Sequence, residues 1–186
     1  MFFNSQVGQE IYERYGRPRE AKFTFEMRPD EFTAVTGSMK KGRAHDITLF
    51  IFRGRDLVVI HKNTHPPLVY RAPSGGLHPG ESLEEGARRE AKEETGLDIE
   101  LERYLLRAQV TFTCKGQAVE WWSHVFSAQT LAGELVALDK KEIGDVRLAS
   151  LEEVKTGLQD LMRQAGSGGL AYRAALTEAV LPFFVN

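Results

Sequence analysis

The strongest constraint on this chain lies in residues 75–97, GGLHPGESLEEGARREAKEETGL, where a glycine pair, a capped helix and three spaced glutamates follow one another. Ser82 with Glu85 three residues on is a capping box, in which side chain and backbone satisfy each other's donors at a helix start. Gly96 stands where a left-handed residue ends a helix, so the spacing predicts a helix over 83–95 between two loops. On that helix Glu90 sits three and four residues from Glu93 and Glu94, close enough to face both. Each like-charged pair costs an isolated helix roughly 0.2–0.5 kcal/mol unless a cation or an arginine offsets it. A hard divalent ion reverses the sign, because magnesium takes its ligands from water, one or two carboxylates and substrate phosphates.

The flanks decide between two readings of this helix. Alone, EEGARREAKEE describes a solvated charged face. The preceding Gly75-Gly76 pair lets a ligand approach the main chain closely, and Glu81 adds a further carboxylate. Amides at the helix start carry little weight as a phosphate site, since the glycine-rich phosphate signatures with their lysine are absent. Leu83, Ala87 and Ala91, four apart, are the stripe that faces the core.

The segment resembles the Nudix signature: glycine, five residues, glutamate, seven residues, Arg-Glu, an aliphatic, any residue, Glu-Glu, any residue, glycine and an aliphatic. Gly75, Glu81, Arg89, Glu90, Glu93, Glu94, Gly96 and Leu97 satisfy it, and Ala91 fills the first aliphatic place with a small side chain. Fixed matches at this spacing arise by chance in about one chain in a million of this length. The resemblance implies an α/β fold, a Nudix-type α/β/α sandwich with a mixed β-sheet and a loop-helix-loop that carries metal-binding glutamates. It implies a divalent-metal-dependent hydrolase, using Mg2+ or Mn2+, that cleaves the diphosphate linkage of a nucleoside diphosphate derivative or related small phosphorylated metabolite by water attack.

The same resemblance assigns roles. Glu90 and Glu94 are metal ligands, Glu93 is a third ligand with a catalytic part, and the Gly75 carbonyl assists. Arg89 holds the carboxylates, with Glu81 as its partner. Family members recruit a further glutamate from outside the signature; Glu120 and Glu142 are the candidates, and Glu142 is preferred because it falls in a loop that can swing. Arg71, just before the glycine loop, is the candidate for phosphate binding. Trp121 and Trp122 must point to opposite faces of a regular strand, so at most one reaches a base, and Trp122 is taken as that candidate. Two other readings stay open: a nucleotide-sensing module without turnover on the same fold, and an isoprenoid diphosphate isomerase-like enzyme that shuttles protons with a cysteine and a glutamate. The full glutamate set argues against the first, and Cys114 has no sequence context that favours the second. The absence of proline between Leu97 and Leu181, and of a Ser-Gln-Pro-Trp string, leaves the substrate open within the class.

The rest of the chain bounds the setting. Its 186 residues suit one core rather than two, and 42% hydrophobic with 27% charged residues is ordinary for a globular protein. A net charge of −2 makes nucleic acid an unfavoured partner. No secretory pattern opens the chain and no apolar run is long enough for a membrane span, so cytoplasmic residence is expected. Cys114 is the only cysteine and cannot form an internal disulfide.

Val7, Ile11 and Tyr15 line one face of a short first helix that Pro18 ends, and 22–26 alternates as a strand before Pro29. Residues 31–44 read as a basic loop. Strands follow at 47–52 and 57–60, joined as a hairpin, with a brief one at 68–71; longer strands fall at 98–114 and 118–130, and a short one at 146–149. Helices at 151–164 and 170–180 flank a glycine hinge at 166–169. Residues 1–44 are expected to be an extension that packs on the 45–186 domain or forms a homodimer interface.

Overall fold

The structure, a computed structural model, describes residues 5–184, with side chains from Gly8 onward. The first four positions of the expected extension and the side chain of Val7, expected on the face of the first helix, therefore lie outside what is described. The chain runs α1 (Ser5–Tyr15), β1 (Arg19–Glu26), α2 (Pro29–Lys40), β2 (His45–Arg53), β3 (Asp56–Lys62), β4 (Ser74–Gly76), α3 (Leu83–Thr95), β5 (Asp98–Cys114), β6 (Gln117–Ala132) and β7 (Ile143–Ala149). It closes with α4 (Leu151–Glu153), a π-helical turn at Val154–Leu158, α5 (Gln159–Gln164) and α6 (Gly168–Val180).

Seven strands form one mixed sheet in the order β1-β5-β6-β2-β3-β7, with β4 paired to β2 off that path. β1 lies parallel to β5 and β2 parallel to β6, while β5–β6 and β3–β7 are antiparallel. Alternation along β2 splits the core: Ile47, Leu49 and Ile51 pack under α3 and α1, and Phe50 faces the opposite layer with Phe112, Trp121, Tyr172 and Leu176. Helices thus cover both faces, which is the α/β/α sandwich the resemblance implied. Leu83, Ala87 and Ala91 do face the core.

Three readings need correction. Residues 31–40 are helical, not loop. Pro29 sits in the first turn, where its missing N–H does no harm, Glu31 accepts from the Arg28 N–H, and Phe32, Val35 and Met39 form the inward stripe. The 68–71 strand shrinks to a single bridge between Arg71 and Ile60, because Pro66-Pro67 and the left-handed Leu68 (φ 66°) interrupt pairing. Ser74–Gly76, expected to be loop, is a short strand against Asp46–Thr48 of β2.

That last pairing makes the opening in which the glutamates meet the cavity described below. β2 and β3 pair in register only beside their turn, Phe52 with Leu57 and Arg53 with Asp56, and farther along β4 takes up β2's free edge.

Candidate active site

Helix α3 forms as its residues require. Ser82 accepts from the Glu85 N–H while the Glu85 carboxylate accepts from the Ser82 N–H at 2.9 Å, and Gly96 closes the helix at φ 75°. Its outer end faces strand β4 residue by residue. The Ser74 N–H donates to Glu94 Oε2 at 2.7 Å, the Glu90 carboxylate lies against Gly75, and the Gly76 carbonyl accepts from Arg89 at 3.1 Å. A Cβ built on Gly75 would fall 2.0 Å from the Glu90 carboxylate, so only glycine leaves that place open.

Arg89 is the hub of the cluster. Its guanidinium forks onto Glu81, at 2.7 Å from Nε and 2.8 Å from the second amine, and also donates to Glu90 at 2.6 Å and Glu93 at 3.1 Å. Burial works to raise the Glu81 pKa, but the bonds from Arg89 and the His78 N–H outweigh it and hold the carboxyl below its ordinary value. Glu90 moves the other way: burial, and then the charge of Glu94, push it up to about 7 despite Arg89.

The three glutamates are not gathered at one point. Arg89 draws Glu90 and the half-exposed Glu93, whereas Glu94, buried, is drawn by the Ser74 N–H, by Lys62 at 3.6 Å and by Arg71 at 3.9 Å. Among the described residues, no three His, Cys, Asp or Glu side chains are already grouped as a metal-holding set. Like charges at this spacing have each found a cation of the protein instead.

Lys62, at the end of β3, links the signature to the loop before β7, since its ammonium pairs with both Glu94 and Glu142. Burial, and next the repulsion of Arg71, lower its pKa to about 8. Arg71, buried at 4% exposure, donates to the Ser74 hydroxyl and the Ala72 carbonyl at 2.7 Å each, and burial brings it down to about 10. Glu120, by contrast, accepts from Thr111 and Gln109 on an exposed stretch of β5–β6.

From Lys62 and Arg71 a cavity of about 750 Å³ extends between the sheet, α2 and the start of α6. Trp121, Phe112 and Met27 supply apolar wall, and Asp46, Tyr172 and Arg173 form a polar floor. Asp46 there accepts from the Tyr172 hydroxyl at 3.0 Å and from Arg173 at 2.8 Å, and Arg173 also donates to Thr48. Trp122 does not border this space. It lies on the opposite side of β6, beneath the Arg107 guanidinium at 4.3 Å from its ring centroid, while Trp121 lines the cavity. Cys114 is buried in the apolar cluster and is not among the lining residues.

The match to known proteins is decisive at the level of family. The NUDIX domain pattern matches residues 41–167 of the 186. The chain belongs to the Nudix family. This Nudix chain is 28% identical over 142 residues to the NAD-capped RNA hydrolase NudC of Stutzerimonas stutzeri (strain A1501), which spans 72% of the chain and 47% of that relative. The match thus spans about half the length of that relative. Two solved structures share its fold. One is a NUDIX hydrolase from Nitrosomonas europaea, with TM-score 0.51, 19% identity, and coverage of 73% of this chain and 87% of that one. The other is an ADP-ribose pyrophosphatase from Streptococcus suis 89-1591, with TM-score 0.50, 16% identity, and coverage of 76% and 92%.

Sequence reasoning missed Lys62, Asp46 and Arg173 as parts of this Nudix site. Lys62 ends an apolar strand with no motif around it. Asp46 carried a usable signal, a charged residue just before the otherwise apolar run ITLFIF, and its partner Arg173 is 127 residues away in sequence.

Proposed function

We propose that this protein is a Nudix pyrophosphohydrolase that cleaves the diphosphate linkage of a nucleoside diphosphate derivative with the help of Mg2+ or Mn2+. The observation that carries this reading is the cradle at Gly75: a buried carboxylate, Glu90, pressed against open backbone beside a second buried carboxylate, Glu94. Two such groups with only oxygen donors fit a hard divalent cation, whose charge would offset the burial and the Glu94 repulsion that now raise Glu90. Glu90 and Glu94 would hold the ion, with Glu93 and the Gly75 carbonyl as further ligands. When bound, the ion supplies charge neutralisation at the diphosphate and makes water more acidic.

The chain's own groups do the remainder. Arg89 fixes Glu90 and Glu93 through its fork on Glu81. Lys62 and Arg71 offer positive charge to the phosphates on the cavity side, where burial strengthens each contact. Glu142 is the proton acceptor for the attacking water, since its ion pair with Lys62 keeps it within the same charged group as Glu94, and an exposed loop carboxylate can turn toward water. The organic part of the substrate enters the cavity.

The names of the relatives support the substrate class, since an NAD-capped RNA hydrolase and an ADP-ribose pyrophosphatase both act on nucleoside diphosphate linkages. The test is incubation of the purified protein with ADP-ribose, NADH and a nucleoside triphosphate, with Mg2+ or Mn2+ and with EDTA. Metal-dependent appearance of a nucleotide monophosphate or pyrophosphate supports the reading, and no product from any of them with either metal contradicts it.

A further inference from the structure

Glu142, the carboxylate assigned to the attacking water, sits on a loop whose backbone is held on two sides. On one side the loop closes the signature helix. Leu138 and Asp139 donate their N–H groups to the Glu93 carbonyl at 3.0 and 2.9 Å, and the Val136 N–H donates to the Thr95 carbonyl at 3.0 Å. Both carbonyls belong to the last turn of α3, where no partner exists within the helix. On the other side the loop meets Asn63, the residue that follows β3. The Asn63 N–H donates to the Glu142 carbonyl at 2.9 Å, and its side-chain amide donates to the carbonyls of Lys140 at 3.1 Å and Lys141 at 3.0 Å. One residue thus serves three consecutive carbonyls of the turn that ends in Glu142. Asp139 shapes the same turn from within, its carboxylate accepting from the N–H groups of Lys141 at 3.1 Å and Glu142 at 3.3 Å.

The pairing of β3 with β7 brings Asn63 to this place. His61 pairs with Asp145 but Lys62 pairs with Ile143, so Gly144 is an extra residue on β7, a bulge that re-aims the chain beside it. A Cβ on Gly144 would fall 2.5 Å from Asn63 Oδ1, so the amide fills the place a side chain would take. Lys62, next to Asn63 in sequence, pairs with both Glu142 and Glu94. The end of β3 therefore supplies the cation that the Glu142 carboxylate meets and the amide that fixes the Glu142 backbone. With the turn pinned in this way, movement of Glu142 toward water is left to its half-exposed side chain.

We propose that Asn63 is a positioning residue for the proton transfer: its amide sets the turn from Asp139 to Glu142 so that the Glu142 carboxylate stands beside Lys62 and Glu94. The proposal rests on the reading of Glu142 as proton acceptor given above. An amide suits the task because it donates twice to carbonyls without adding charge next to Lys62.

Two variants disturb the tie from opposite sides. Asn63→Ala removes the amide, and Gly144→Ala pushes on its oxygen. Each is assayed with Mg2+ on whichever of ADP-ribose, NADH or a nucleoside triphosphate the parent hydrolyses. Each should lower kcat about tenfold and leave KM and Mn2+ affinity within about twofold of the parent, since the group misplaced is neither a ligand nor a binding contact. A thermodynamic cycle separates positioning from general loosening. In a Glu142→Gln background, Asn63→Ala should change kcat by less than about twofold, because a residue that acts through Glu142 then has nothing left to position. Asn63 is exposed, so both variants are expected to fold; if Asn63→Ala melts early, Gly144→Ala takes its place in the cycle.

Equal losses of kcat in the two backgrounds, an unchanged kcat in both single variants, or a fall in Mn2+ affinity as large as the fall in kcat overturns the proposal. If the parent turns over and Glu142→Gln matches it, the assignment of Glu142 falls and this role with it. A parent that hydrolyses none of the three substrates removes the hydrolase reading itself. Turnover that depends on Glu142 but not on Asn63 counts against this inference alone.

Discussion

Gly75 and Glu90 are packed so closely that a single methyl group on the glycine would overlap the glutamate's carboxylate, 2.0 Å from its nearest oxygen. The colliding atoms are the far end of a flexible side chain, so the chain can yield by moving the carboxylate rather than the backbone. Gly75→Ala is therefore expected to fold with a loss of less than about 1 kcal/mol and yet to lower kcat by about 100-fold, because a catalytic group misplaced by about an ångström costs that much. Thermal melting and steady-state kinetics on the same preparation check both halves.

Arg89 serves five oxygen atoms of four residues through a planar fork that lysine cannot copy. Arg89→Lys keeps the charge and loses the geometry. Metal affinity, read by Mn2+ titration, should fall roughly 10–100-fold, the scale seen when groups that orient ligands are removed. Affinity equal to the parent would show that Glu90 and Glu93 need no such support.

Glu142 lies outside the signature, and its carboxylate pairs with Lys62, which also pairs with Glu94. Glu142→Gln should cut turnover by about 100-fold or more at saturating substrate with little change in melting temperature, as expected for a base whose side chain is half-exposed. Unchanged kcat would remove it from the mechanism.

Legibility of the sequence followed the range of the interactions. Helix α3 was readable because Ser82, Glu85 and Gly96 encode its ends locally, and the alternation that splits Trp121 from Trp122 holds in β6. The parallel pairings β1–β5 and β2–β6 carry no local signal, since their partners lie far apart in sequence. Helix α2 was hidden because Pro29 can end a strand or begin a helix, and the packing of Phe32, Val35 and Met39 against the sheet and the contact of Glu31 with α6 are both long-range. At the site, the glutamates and Arg89 were visible as a spaced motif. The cations Lys62 and Arg173 were not, because their role comes from convergence on one cavity. Nor does the sequence tell Trp121 from Trp122 at the cavity: alternation says that the two faces differ but not which one meets α2 and α6, and it is Trp121 that lines the space.

His124 is fully buried and bonded to Tyr104 and His45, and burial, followed by the charges of His45 and Arg107, lowers its pKa well below 6.5. A base whose folded pKa is depressed binds its proton more readily when unfolded, so the stability it contributes is present above pH 6.5 and is lost as pH falls below that value. The unfolding free energy should drop by up to about 1.4 kcal/mol between pH 7.5 and 5.5 from this residue. Urea titrations at the two values measure it, and His124→Gln should flatten the dependence.

The most direct measurement is Mn2+ binding, followed by electron paramagnetic resonance, in the parent protein and in Glu94→Gln, paired with diphosphate hydrolysis by the same samples. At least one tight Mn2+ is expected in the parent, weakened about tenfold or more in the variant, with turnover lost and the melting temperature retained. Full turnover by Glu94→Gln, or Mn2+ binding equal in both proteins, would contradict it.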